Sequence, residues 1–396
     1  MISLQAASMA TGLLSFVQKK NVYLGIVGVF VMLGVWVLPL GRVQQPPADI
    51  EKMINLFRMC GASLETEALE NGQFAIMPTQ TQPKSVNLDR CATDAIPARM
   101  ATDVVFQSLT IFTTAISCVR VKNFLSAFDT LKAKKLVVTD FSPTSFPETQ
   151  QPKTLTTIET SHLTFSRVTP EAIEWFFSRT NMSTCVMALV IEDMPGATEL
   201  FFLDPCTAKS VAGLTLSNIP NLRNVNTTLL KSGRVNTSLI FTNLSPNLFF
   251  SQAVTERLAR VPWALVKMDL RGWSKFSETT RFTSIDSLEI VFDSRDFSRY
   301  LYVTPNHGIK LVAVKHFVLR DVFRQATYTK DNVVYLIKRI LAEFTGMKTI
   351  NLMIEHQDDS TIIAIKDQMQ KQMPNLHTET ALETITVGGC VLKIKD

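Results

Sequence analysis

The residues best suited to chemistry lie near the C-terminus. Glu355-His356-Gln357-Asp358-Asp359 is the densest group of potential metal ligands in the chain. A vicinal acid pair can hold a divalent cation and, through it, a nucleotide. The same acids also precede a predicted helix over Ser360 to Met373, where negative charge is favoured by the macrodipole without any metal. That structural role is the expected one, so no metal and no catalytic residue is assigned.

The remaining chemical candidates are scattered. His162, His307, His316, His356 and His377 fall in no zinc-binding spacing. His316, beside Phe317-Val318-Leu319, is expected to be a solvated strand residue. Cys60, Cys91, Cys118, Cys185, Cys206 and Cys390 form no C-x-x-C pair, which argues against a zinc ribbon or a thioredoxin-type site. No G-x-S-x-G, P-loop or dinucleotide fingerprint occurs, so no cofactor is expected. The net charge of +5 is spread without a Lys/Arg block, which excludes a dedicated nucleic-acid binder. N-x-[ST] sequons stand at Asn181, Asn226, Asn236 and Asn243.

What positions these residues is a repeat. An apolar-x-apolar core recurs from Leu109-Thr-Ile111 through Leu136, Leu163, Leu189, Leu214, Leu239, Met268, Leu288, Phe317 and Ile350 to Ile385, in steps of 20 to 35 residues. An apolar residue often sits three before the core, as at Phe106, Val186, Val211, Leu265, Ile285 and Val314. A turn former often follows two after it, as at Asp140, Asp193, Asn218, Asn243, Gly272 and Asp321. Each core reads as a short strand of three to five residues, and Asn or Asp can satisfy backbone groups where the chain leaves the strand. Helices are predicted over Pro170 to Phe177, Phe249 to Arg260, Asp331 to Phe344 and Ser360 to Met373. If the core residues point inward, their neighbours form an outward row. This row is Thr164, Ser166, Val190, Glu192, Thr215, Ser217, Asp269, Arg271, Glu289, Val318 and Arg320.

At the other end, residues 22–40 are nineteen in number and uncharged. At ~1.5 Å per residue they would cover about 28 Å, which predicts one transmembrane helix. Residues 1–21 are then an N-terminal tail, 41–48 a Pro-containing spacer, and 49–396 the repeat region. A helix over Asp49 to Cys60 caps its first hydrophobic layer.

From about Phe74 to the C-terminus the repeat resembles a divergent leucine-rich repeat domain of the ribonuclease-inhibitor or F-box-associated type, without an F-box before it. The resemblance implies an α/β horseshoe solenoid of short parallel strands and helices that binds macromolecules on its strand face. The expected protein is a single-pass membrane scaffold, anchored by residues 22–40. It would bind a protein partner through Thr164, Ser166, Glu192, Thr215, Ser217, Asp269, Arg271, Glu289 and Arg320. A type II membrane glycosyltransferase using the 355–359 acids, or a soluble F-box-associated type of adaptor, are the alternatives.

Overall fold

The computed structural model describes residues 47–59, 64–69, 73–78, 85–90, 96–100, 104–113, 118–143, 155–279, 282–292, 312–321, 328–354 and 359–395. Pro47 aside, they belong to one compact unit, Ala48–Asp396. Their strands join into one 17-stranded sheet. The strands are β1 (Leu64–Ala68), β2 (Phe74–Pro78), β3 (Ser85–Asn87), β4 (Val104–Phe112), β5 (Thr130–Thr139), β6 (Thr156–Ser166), β7 (Thr180–Asn181), β8 (Val186–Glu192) and β9 (Ser210–Ile219). They continue as β10 (Val235–Leu244), β11 (Trp263–Asp269), β12 (Ser284–Phe292), β13 (Val312–Asp321), β14 (Phe344–Thr345), β15 (Thr349–Met353), β16 (Thr384–Val387) and β17 (Cys390–Lys393).

From β4 to β16 the pairing is parallel and follows chain order, with the two-residue strands β7 and β14 beside the ends of β6 and β13. Antiparallel pairs close the two ends, β1 with β2 and β16 with β17. The latter is a hairpin turning on Gly388-Gly389, both at positive φ, as a two-residue primed turn requires.

Alternation explains the strands. Leu136 and Val138, Leu163 and Phe165, Leu189 and Ile191, Leu214 and Leu216 are all buried, and the residues between them are half-buried. Across the sheet these inward residues lie in register, Leu136 beside Leu163, Leu163 beside Leu189, Leu189 beside Leu214. Fully burying one such side chain stabilises by roughly 1.5–3 kcal/mol. The inward residues form one continuous core with the apolar faces of the helices.

Those helices are α1 (Ala48–Met59), α2 (Val119–Ser126), α3 (Pro170–Phe177), α4 (Thr228–Lys231), α5 (Gln252–Ala259), α6 (Leu270–Thr279), α7 (Lys330–Glu343), α8 (Asp359–Gln372) and α9 (Leu376–Glu379). Pro170 starts α3 at its first position, where a missing N–H costs nothing. Thr227 and Thr329 cap α4 and α7 by accepting backbone N–H groups. Ile50, Met53, Ile54 and Leu56 of α1 are buried.

Several expectations are corrected. Residues 22–40, expected to cross a membrane, lie outside the described residues. Among those described, no helix is long and apolar enough to do so. The longest have 14 residues and carry charges, and 14 residues reach only about 21 Å against the ~30 Å of a hydrocarbon core. The single-pass membrane assignment, with the membrane localisation built on it, is therefore not supported. Nor is a leucine-rich repeat shown. Leu, Val, Ile, Phe and Met interchange at the inward positions, and the main strands run to as many as 11 residues rather than three to five. The expected solenoid horseshoe gives way to one large, mostly parallel α/β sheet with helices packed on one face.

The strands are long because each continues through a bend. In β5 the burial alternation breaks at Lys134-Lys135, both exposed, and the pairing passes from Ala133↔Thr160 to Lys135↔His162. The same rung is passed over at Gln107, Lys134 and Ser161, at Ala212, and at Asp286 and Lys315. Residues N-terminal to the bend, such as Phe106, Leu131, Ile158 and Val314, are again buried. The three-residue gap ahead of the core in sequence is this bend. Val186 and Leu265 do not obey it: Val186 is exposed and Leu265 half-buried, and Met187 and Trp263 are buried instead.

In β11 the inward frame differs from the expected one. Val266, not Met268, pairs with Leu239 and Leu288, so the inward pair of β11 is Val266 and Met268. Gly272 consequently lies inside α6 rather than in a turn.

Candidate functional site

The face of the sheet opposite the core is the candidate site. Two rows run across it. In the first, Thr110, Val137, Thr164, Val190, Thr215, Ile240, Lys267, Glu289, Val318 and Asn351 are register neighbours from β4 to β15. All are half-buried. In the second, Thr139, Ser166, Glu192, Ser217 and Thr242 follow one another, and Val291 pairs with Asp269 on one side and Arg320 on the other. The structure thus brings Thr164, Val190, Thr215, Glu289 and Val318 into one row, and places Ser166, Glu192, Ser217, Asp269 and Arg320 along the next. Arg271 is not on the sheet: it lies in the first turn of α6 and is exposed.

From β4 to β10 the first row alternates hydroxyl and aliphatic β-branched side chains, a composition that stiffens χ1 and favours strands. Hydroxyls also bond along the second row, where Thr242 Oγ1 donates to Ser217 Oγ at 3.1 Å. Gly213 falls between the strand neighbours Ala188 and Ser238. A Cβ there would run into Ser238 Oγ, so a larger residue would make that hydroxyl turn aside.

Charge is concentrated at β11–β13. Glu289 Oε1 accepts from Lys267 Nζ at 3.0 Å and from Arg320 Nε at 2.7 Å. The Glu289 side chain is only 15% exposed. Burial alone would raise its pKa, but the hydrogen bonds and charges of Lys267 and Arg320 outweigh it, and the carboxyl is held below its ordinary value of 4.5. A carboxyl depressed on folding contributes stability above its unfolded pKa and loses it as pH falls through the folded one. We therefore expect the stability difference between the wild type and Glu289→Gln to be constant above about pH 5.5 and to shrink as the pH drops below 4.5. Urea unfolding at pH 6 and pH 3.5 checks this; a difference that grew in acid would contradict the assignment.

A second ladder edges the face where the strands end. Asp140, Arg167, Asp193, Asn218 and Asn243 all have left-handed backbone, with φ between 53° and 58°. Their side chains link across strands: Asn243 Nδ2 donates to Asn218 Oδ1 at 2.7 Å, and Asn218 Nδ2 to Asp193 Oδ1 at 2.7 Å. The expected turn formers Asp140, Asp193, Asn218 and Asn243 are therefore in place. Arg167 joins them although arginine is no turn former. It takes the conformation common to this position, its backbone N–H donating to the Glu192 carbonyl as that of Asp140 does to Ser166, and its guanidinium grips Asp140 through Nε at 2.5 Å and Nη2 at 2.8 Å. That grip is the main reason the Asp140 carboxyl lies below its ordinary range. Asp321 does not turn: it ends β13, buried, and accepts from Tyr328 Oη at 2.7 Å.

The other chemical candidates do not converge on the face. Residues 355–358 lie outside those described, and Asp359 begins α8. Among the described residues no group of three or more His, Cys, Asp or Glu side chains is placed to hold a metal. His316 is exposed and bonds Thr349 Oγ1 through Nδ1 at 3.0 Å. Cys118, Cys185 and Cys206 are buried; burial pushes the pKa of the Cys118 thiol up to about 11, where it is not nucleophilic at neutral pH.

Comparison with protein-family models, with curated proteins and with solved structures finds no match to this chain. The functional reading rests on the geometry of the face itself.

Proposed function

We propose that this is a binding protein that receives another protein on the open face of its sheet, along the row from Thr164 to Val318. The half-burial of that whole in-register row carries the reading. Its backbone is tied into the parallel ladder and its β-branched side chains are rotationally stiff, so little conformational entropy remains to be lost on binding. Its central charges, Lys267, Glu289 and Arg320, already neutralise one another in part. A partner need not leave one of them buried and alone. Strands spaced ~4.8 Å apart give the row a length of several tens of ångströms, enough for the ~800 Å² that one side of a stable complex usually covers.

The test is site-specific photocrosslinking. A photoreactive residue at Thr215, on the face, is expected to trap a discrete protein adduct. The same residue at Glu171, exposed on α3, is expected not to. Ile240→Arg, which sets an unpaired charge in the row beside Thr215, should weaken the adduct by roughly tenfold or more while the melting temperature stays within a few degrees. Equal trapping from both positions, or trapping indifferent to Ile240→Arg, would remove the open face as the binding surface.

A further inference from the structure

The C-terminal hairpin leaves one edge of the sheet open. Among the described residues β17 pairs with β16 and with no other strand. The Ile394 N–H donates to the Glu383 carbonyl at 2.9 Å. Bonded and non-bonded pairs alternate along an antiparallel ladder, so Cys390, Leu392 and Ile394 bond toward β16. The N–H and C=O groups of Val391 and Lys393 therefore point off the edge, and no described residue bonds them. Side chains agree. Thr386 is the register partner of both Asn351 and Val391, so Val391 extends the first row of the open face. The other members of that row, Thr386 included, are half-buried between two strands, whereas Val391 is 61% exposed. Leu392 faces the other way and extends the inward row of Ile350 and Ile385. Proteins usually blunt such an edge with proline or a bulge; β17 has no proline and its register is unbroken.

We infer that this edge receives a second copy of the chain, β17 against β17, antiparallel about a two-fold axis through Leu392. That axis sets Val391 opposite Lys393 of the second copy, and Lys393 opposite its Val391. The outward groups of both residues then bond one another and none is left over. No like charges stand directly opposite. The two Leu392 side chains meet at the axis, so the inward apolar row runs from one core into the next. The neighbouring registers are worse. An axis at Lys393 sets the two lysines face to face, and one at Val391 leaves Lys393 against the Gly389 turn. Pairing with β1, the antiparallel strand at the other end of the sheet, would repeat without closing, whereas the two-fold closes at a dimer. So short an edge covers less than the area of a permanent interface, which makes the association concentration-dependent. The inference does not rest on the open-face reading, because edge pairing leaves that face uncovered.

The experiment is sedimentation velocity on the full chain across a dilution series. The mass should rise from 44.3 kDa toward twice that value and stop there. Val391→Pro removes an outward N–H that β16 does not use, and edge strands tolerate such a proline. It should weaken the dimer by about tenfold or more while the thermal melt matches the wild type. Engineered cysteines read the register independently of that variant's folding. The two Leu392 Cα atoms would lie about 4.5 Å apart, within disulfide reach, and the two Val391 Cα atoms about 8 Å apart, beyond it. Under mild oxidation Leu392→Cys should yield a covalent dimer, and Val391→Cys no more than the wild-type background. A chain monomeric at every concentration, growth past the dimer, self-association indifferent to Val391→Pro, or equal cross-linking from the two cysteine variants would each overturn the proposal.

Discussion

Phe176→Ala should lower the free energy of unfolding by about 3–5 kcal/mol, among the largest effects of any single truncation in this chain. Phe176 is fully buried on α3. Its ring meets Phe165 of β6 edge-on at 5.3 Å and Phe177 at 6.1 Å, and such aromatic pairs add to area burial. One residue therefore joins the helical layer to the sheet, and its removal leaves a cavity that the fixed ladder cannot collapse to fill. Urea denaturation followed by far-UV circular dichroism measures it. A loss under about 1 kcal/mol would mean that α3 does not pack on β6 as described.

The second large effect is a contrast between neighbours. Leu214 is fully buried in β9, in register with Leu189 and Leu239. Thr215, the next residue, is half-buried on the open face. Leu214→Ala should cost about 2–5 kcal/mol and Thr215→Ala under about 1. The alternation makes this a test of register, since a slip of one residue exchanges the two faces. Equal losses at both sites would refute the register. Thr215→Ala should also leave the melting transition sharp, because no inward contact between strands is touched.

Much of this layout was legible along the chain. The apolar-x-apolar cores mark the inward residues of almost every strand, because the period of two reports which face a residue takes. The helix over Pro170 to Phe177 falls where proline and a preceding threonine predict it, and α5, α7 and α8 lie within a few residues of their expected ends. Asp140, Asp193, Asn218 and Asn243 announce the left-handed exits from their strands, since short polar side chains suit that conformation. The outward row was legible in part: Arg271 lies on α6 and Ser166 is buried, and Ile240 and Lys267 join the row only through strand pairing.

What periodicity could not supply is which residue lies beside which across the ladder. The frame of β11 is ambiguous along the chain because Val266-Lys-Met268 and Met268-Asp-Leu270 are equally apolar-x-apolar. Only pairing with Leu239 and Leu288 decides between them. Arg167 holds a left-handed position of the ladder, where its N–H bonds the Glu192 carbonyl and its guanidinium binds Asp140, 27 residues earlier. Glu289 is a depressed, half-buried carboxyl only because Lys267 and Arg320 arrive on the strands either side. The bend that turns Lys134 and Lys135 outward is held by hydroxyls of β6. Local sequence determined which way each side chain faces, since that follows from backbone geometry over two or three residues. The tertiary structure decided which side chains meet, since that follows from pairing between strands some 25 residues apart.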